Sequence, residues 1–211
     1  MSNFYIFGLM RSGTNAFCKY AEQLNLNCIN DPLKNRNFDY DSYKFGLPPI
    51  GWKHSFPFLI DENIPIVVCI KDPVSQYASL RKVWKKYGSD HHFSHAYRQG
   101  YSITRSIDDF MELYKKYYNI SQNLSSSNEN VHLAHHEAFC DEPEKYYKKI
   151  FNIEVDKFVK LSKINPGLNQ TNESFDGKKS RDTNYQYIRK DEMKKLENLN
   201  EQLRICDNST L

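Results

Sequence analysis

Short apolar runs alternate along the chain with longer stretches of helical period. Residues 4–7, Phe-Tyr-Ile-Phe, are an aromatic and β-branched run that stops at Gly8, and Phe17, Ala21 and Leu24 then recur at helical spacing. The opening is expected to read strand, glycine loop, helix. Residues 26–29 predict a second strand. Residues 31–49 are polar and aromatic without a clear period, and are expected to form an irregular border to a substrate site. Residues 64–70, Ile-Pro-Ile-Val-Val-Cys-Ile, are nearly continuous in apolar side chains, the pattern of a central parallel strand covered on both faces.

That strand ends at Lys71-Asp72-Pro73, where Asp72 suits an N-cap and Pro73 the first helical position. Tyr77, Leu80, Trp84 and Tyr87 then mark one buried helical face. Ile107, Phe110, Met111, Tyr114, Tyr117 and Tyr118 predict a helix over 106–124, broken by the polar residues 125–130. Residues 131–134 read as a strand. Pro143 opens a helix carrying Tyr146, Tyr147, Ile150 and Phe151, and Met193, Leu196, Leu199 and Leu203 define a last one. Residues 165–184 read as a long loop or lid. Strands alternating with helices predict an α/β domain over residues 1–211, with three α/β/α layers around a central parallel sheet.

Composition changes the picture little. The 29 Lys and Arg are nearly balanced by 26 Asp and Glu, so attraction for anions must come from local clusters and general nucleic-acid binding is not expected. Cys18, Cys28, Cys69, Cys140 and Cys206 are scattered, without metal-site or disulfide-framework spacing; free thiols in a reducing, cytoplasmic setting are expected. Neither a signal peptide nor an apolar run long enough to span a membrane is seen.

The chemistry begins at Gly8-Leu-Met-Arg-Ser-Gly-Thr14. Gly8 permits a tight turn off the strand and Gly13 lets backbone approach a ligand. The helix that follows presents unpaired N–H groups to an anion, and Ser12, Thr14 and Asn15 add side-chain donors. A phosphorylated nucleotide is the expected ligand. The Gly8 to Gly13 spacing partly matches a P-loop, yet the lysine expected after the second glycine is absent and Arg11 stands inside the loop instead.

Met10-Arg11-Ser12-Gly13-Thr14 resembles the first motif of the sulfotransferases that use 3′-phosphoadenosine 5′-phosphosulfate (PAPS), Pro-Lys/Arg-Ser-Gly-Thr, apart from the proline. Lys71-Asp72-Pro73 with Ser79 is similar to that family's second motif, a strand ending in Arg-Asn/Asp-Pro with a serine eight residues after the arginine. Here lysine replaces arginine. His136-Glu137-Ala138-Phe139 with Asp141, Glu142 and Pro143 is similar to a third segment, Tyr-Glu-Asp-Leu followed by Asp-Pro and a helix. The resemblance implies a P-loop NTPase-like sulfotransferase fold with PAPS as donor, and places Lys71 and Ser79 on its 3′-phosphate.

In that setting Arg11 is the candidate for stabilising charge on the leaving phosphate, being permanently charged and able to donate parallel bonds. The sulfuryl group carries less negative charge than a terminal phosphoryl group, so protein cations are expected to suffice and no metal is assigned. His54 has the right intrinsic pKa for a base. The family's cytosolic branch has Lys-x-His before its second motif, whereas Lys53 and His54 are adjacent here, so Lys53 is the alternative at that position. Glu22, Asp31, Asp39 and Asp41 are carboxylate alternatives. Lys178, Lys179 and Arg181 match in composition the basic loop that the family places on the 3′-phosphate, and equally read as a solvated charge run. Trp52 is a candidate for adenine stacking.

The histidines at 91, 92 and 95, with His132, His135 and His136, are more simply a loop and a strand edge than a metal cluster. The expected activity is transfer of a sulfuryl group to a hydroxyl acceptor, foremost a carbohydrate, with a small molecule as the other acceptor class. The alternatives are a nucleotide-dependent kinase with an altered P-loop and a catalytically inactive nucleotide-binding module.

Overall fold

Ile66, Val67, Val68, Cys69 and Ile70 are all buried, as a strand with helices on both faces requires. The computed structural model describes residues 3–30, 53–59, 61–87, 106–155, 158 and 185–203, with side chains of helical residues 86 and 87 left aside. Gly51, Trp52, residues 31–49 and the histidines at 91, 92 and 95 lie outside the described residues. So do residues 165–184 with Lys178, Lys179 and Arg181, as well as Cys206 and the side chain of Tyr87.

Among the described residues four parallel strands form the sheet, in the order β2-β1-β3-β4: β1 is Asn3–Phe7, β2 Asn27–Cys28, β3 Ile66–Ile70 and β4 Val131–His135. Tyr5, Ile6 and Phe7 pair with Ile66, Val67 and Val68, and β3 pairs along its whole length with β4. The short β2 is completed beyond Cys28 by Ile29 N–H on Phe4 O, 3.0 Å. The side chain of Asn30 then replaces a strand residue, accepting from Ile6 N–H at 2.9 Å and donating to Ile6 O at 2.7 Å.

Alternate residues of β3 feed two cores. Ile66, Val68 and Ile70 face α2 (Pro73–Tyr87), α3 (Ile107–Ser127) and α6 (Lys190–Leu203), where Tyr77, Phe110, Tyr114, Tyr117, Leu196 and Leu199 are buried. Val67 and Cys69 face the other way, with Phe4 and Ile6, onto α1 (Thr14–Gln23), α4 (His136–Asp141) and α5 (Pro143–Phe151). There Phe17 stacks on Tyr147 with ring centroids 4.9 Å apart, and Tyr147 Oη donates to Phe17 O at 2.6 Å. The chain is thus mixed α/β with a four-stranded parallel sheet and helices on both faces.

Local chemistry sets the helix limits. Asp72 Oδ1 accepts from Ser75 N–H at 2.8 Å, the N-cap expected from the sequence. Ser106 Oγ likewise accepts from Asp109 N–H at 3.1 Å at the start of α3. That helix runs to Ser127, past the predicted break at 125, because its terminal serines bond locally: Ser127 Oγ donates to Leu124 O and Ser125 Oγ to Val131 O. Asn152 ends α5 in the left-handed conformation, a position open to asparagine. No helix among the described residues is long and apolar enough to cross a membrane. Cys18, Cys28, Cys69 and Cys140 are free thiols.

The chain leaves β1 toward β2 on one side and must cross back over β1 to reach β3. The carboxyl ends of β1 and β3 therefore flank a topological switch point, where open parallel sheets form a crevice.

Candidate functional site

The loop after β1 and the turn after β3 meet at this crevice. Gly8 N–H donates to Lys53 O at 2.8 Å, and Ser12 N–H closes the turn on Leu9 O at 3.0 Å. Arg11 has φ 68° and Gly13 φ 100°, so the loop contains two left-handed residues, one of them with a side chain. A non-glycine residue there costs about 1 kcal/mol or more, which marks a backbone held by its surroundings. Part of that hold is Gln76 of α2, whose Nε2 donates to Met10 O at 2.8 Å. Gly13 is the N-cap of α1, a helix without an acidic residue in its first turn, so the positive end of the helix dipole faces the loop.

Side chains converge on the same place. Arg11 Nε donates to Ser79 Oγ at 2.9 Å, tying the first loop to the face of α2 that follows Lys71. Lys71 is buried, 6% exposed. Burial lowers the pKa of both cations; for Lys71 the nearby Glu137 works against that fall and Arg11 adds to it. Two desolvated cations that oppose each other are unfavourable in the free protein, and a bound anion relieves both costs. Ser12 Oγ is buried with no hydrogen-bond partner, a donor left over in the loop.

On the other flank, Lys53 is buried and its Nζ donates to Asn15 Oδ1 at 2.8 Å. His54 Nδ1 lies 3.3 Å from Gly8 O. In the tautomer where Nδ1–H donates to that carbonyl, the ring's lone pair sits on Nε2, the form a general base needs. The two neighbours are thus distinguished by their contacts: Lys53 holds the side chain of Asn15, and His54 rests on the loop backbone.

Arg11, Ser12, Gly13, Thr14, Asn15, Lys53, His54, Lys71 and Ser79 therefore belong to one constellation around the ends of β1 and β3. Other residues of the site were not singled out by their spacing. Glu137 accepts from Asp72 N–H at 3.3 Å, Tyr114 Oη donates to Lys71 O at 2.6 Å, and the ring of His136 lies against Gly13. Only the third motif-like segment, His136 to Phe139, hinted at two of them. His132 and His135 are on β4 and His136 opens α4; among the described residues no three His, Cys, Asp or Glu come together to hold a metal ion.

The chemistry available is that of an anion site: guanidinium, ammonium, hydroxyls and a helix amino terminus arranged around a crevice. No family model, no curated protein and no solved structure matches the chain.

Proposed function

We propose that this chain is a sulfotransferase that moves a sulfuryl group from PAPS to a hydroxyl acceptor, a glycan or a small molecule, in the cytoplasm. The observation that carries the reading is the bond from Arg11 Nε to Ser79 Oγ, which joins the phosphate-type loop to the Lys71/Ser79 turn. A donor with phosphate groups at both its 5′ and 3′ positions needs both sets of cations at one crevice. The parallel sheet, with a strand-loop-helix turn on each side of its switch point, fits a P-loop-like sulfotransferase fold. The orphaned Ser12 Oγ and the desolvation of the Arg11 and Lys71 cations fit such a ligand.

In the reaction the acceptor oxygen attacks sulfur in line, the bond from sulfur to the 5′-phosphate oxygen breaks, and the acceptor proton passes to His54. Arg11 stabilises the charge that grows on the departing phosphate of adenosine 3′,5′-bisphosphate. The kinase alternative needs a carboxylate at a strand end to hold magnesium. Asp72 is the candidate, and its two oxygens are engaged, Oδ1 by Ser75 N–H and Oδ2 by Asn200 Nδ2 at 2.9 Å.

A thermal-shift comparison separates the readings, because a ligand selective for the native state raises apparent stability. Adenosine 3′,5′-bisphosphate without metal is expected to stabilise the protein. Stabilisation by ATP with magnesium alone would overturn the proposal.

A further inference from the structure

The peptide joining Lys71 to Asp72 is held at both of its polar ends, from opposite faces of the sheet. Its carbonyl, Lys71 O, accepts from Tyr114 Oη at 2.6 Å; its N–H, that of Asp72, is directed at the Glu137 carboxylate, 3.3 and 3.4 Å from the two oxygens. Tyr114 belongs to α3 and the core that contains Ile70, whereas α4, which carries Glu137, packs into the core that contains Cys69. This is the first peptide whose two residues both lie beyond β3, where ladder bonds to β4 have ended at the Ile70 to His135 pair.

We infer that Tyr114 and Glu137 are positioning residues that clamp this peptide plane and so aim the Lys71 ammonium at the donor's 3′-phosphate. The inference rests on the donor reading above for the identity of the anion, but the clamp itself is a matter of geometry. Buried backbone N–H and C=O groups need partners, and here two side chains supply them where the ladder no longer does. With the plane fixed, the lysine stem leaves its Cα in one direction, and less conformational freedom is lost when the anion binds.

Glu137 has a second effect. The charged and titratable groups facing Lys71 are Glu137 and Cys140 on α4, Arg11 from the loop and Asp72 beside it. Burial and Arg11 favour the neutral amine, and Glu137 is the foremost of the groups that favour the ammonium. Glu137→Gln keeps an oxygen for the Asp72 N–H but removes that charge. Tyr114→Phe removes only the bond to Lys71 O. The two variants thus separate charge from aim.

The test measures binding of adenosine 3′,5′-bisphosphate and of adenosine 5′-monophosphate by calorimetry, and Lys71 ionisation by side-chain nitrogen NMR, in the wild-type chain and both variants. Each substitution should reduce the preference for the bisphosphate about tenfold, the scale of one bond to a charged group. Glu137→Gln should also lower the pKa of Lys71, so that as pH is raised bisphosphate binding fades at a lower pH than in the wild-type chain. Tyr114→Phe should leave the Lys71 titration in place. Melting curves read folding separately, since a purely structural contact lowers stability without changing nucleotide preference. Unchanged preference in Tyr114→Phe would overturn the clamp, whatever Glu137→Gln does through its charge. Should the wild-type chain itself fail to discriminate the nucleotides, the donor reading falls and the clamp is read from hydrogen exchange of the Asp72 N–H: faster exchange in Tyr114→Phe supports it, unchanged exchange refutes it.

Discussion

His136 occupies the space that a side chain on Gly13 would need. A β-carbon built on Gly13 would collide with Nδ1 of that ring and lie 2.8 Å from its Cε1 and 2.9 Å from its Cγ. Gly13 also sits at φ 100°, where any other residue is strained. Gly13→Ala should therefore destabilise the fold by about 2 kcal/mol or more, combining backbone strain with a clash. Adding His136→Ala should recover the part due to the clash and leave the part due to φ. Denaturant midpoints of the two variants check this, and full recovery in the double variant would show that the backbone term is absent.

Lys71 and Ser79 form the end of the crevice assigned to the 3′-phosphate. Lys71→Ala and Ser79→Ala should each lower affinity for adenosine 3′,5′-bisphosphate about tenfold or more while changing adenosine 5′-monophosphate binding much less. Ser79→Ala also releases Arg11 Nε from the bond that ties the first loop to α2, so of the two variants it should have the larger effect on the monophosphate. Equal losses for both nucleotides would refute the assignment.

His54→Ala should leave bisphosphate affinity within about twofold of wild type but reduce sulfuryl transfer about a hundredfold, the usual contribution of a general base. Lys53→Ala should instead weaken nucleotide binding, because it removes the support of Asn15. Turnover and affinity measured in parallel distinguish the neighbours; wild-type turnover in His54→Ala would remove it from the mechanism.

His135 ends β4 in a buried position, and burial with the nearby charge of Lys149 pushes its pKa down to about 4. The folded chain therefore binds fewer protons than the unfolded chain between the ordinary histidine value and about 4. Stability from this residue is fully present above about pH 6.5 and is lost as pH falls through that window, on the order of 3 kcal/mol across its full width. His132 shifts in the same direction from the same causes. Denaturant unfolding at several pH values should show this acid loss, and His135→Gln should flatten it. An unchanged slope in that variant would assign the loss to other groups.

Asn30 finishes the edge of β1 with a side chain in place of a backbone, bonding both polar groups of Ile6. Asn30→Leu leaves that N–H and C=O buried without partners, and should cost about 2–4 kcal/mol. Asn30→Asp should lose the bond to Ile6 O and keep the one from Ile6 N–H. Melting temperatures should fall in the order wild type, Asp, Leu.

What could be read from the chain was what it encodes locally. The continuous apolar run of β3, the Asp72-Pro73 helix start and the glycine loop each depend on neighbours a few residues apart, and each stands where its pattern placed it. Asn30, Tyr114, Glu137 and His136 act across separations that run from 24 residues to the stretch between Gly13 and His136, where no spacing rule connects the partners. For Asn30 the available signal was a polar residue at the end of an apolar element, and for His136 and Glu137 it was the third motif-like segment. Arg11's left-handed backbone was likewise invisible, since arginine has no preference for that region. α3 runs past the break expected at 125 because Ser125 and Ser127 bond to nearby carbonyls instead of ending the helix.

The pairing of Tyr5, Ile6 and Phe7 with Ile66, Val67 and Val68 has a consequence for how this chain can vary. Arg11 and Ser79 hang from different strands, so their meeting depends on a common origin along the strand axis. Sliding β1 by one residue displaces everything beyond it by about 3.3 Å, longer than the hydrogen bond that joins the two side chains, and turns the buried faces outward. Substitutions on the outer faces of the helices are therefore tolerable in number. A single inserted or deleted residue within β1 or β3 is not, because it puts the two halves of the crevice out of step even where the sheet still forms.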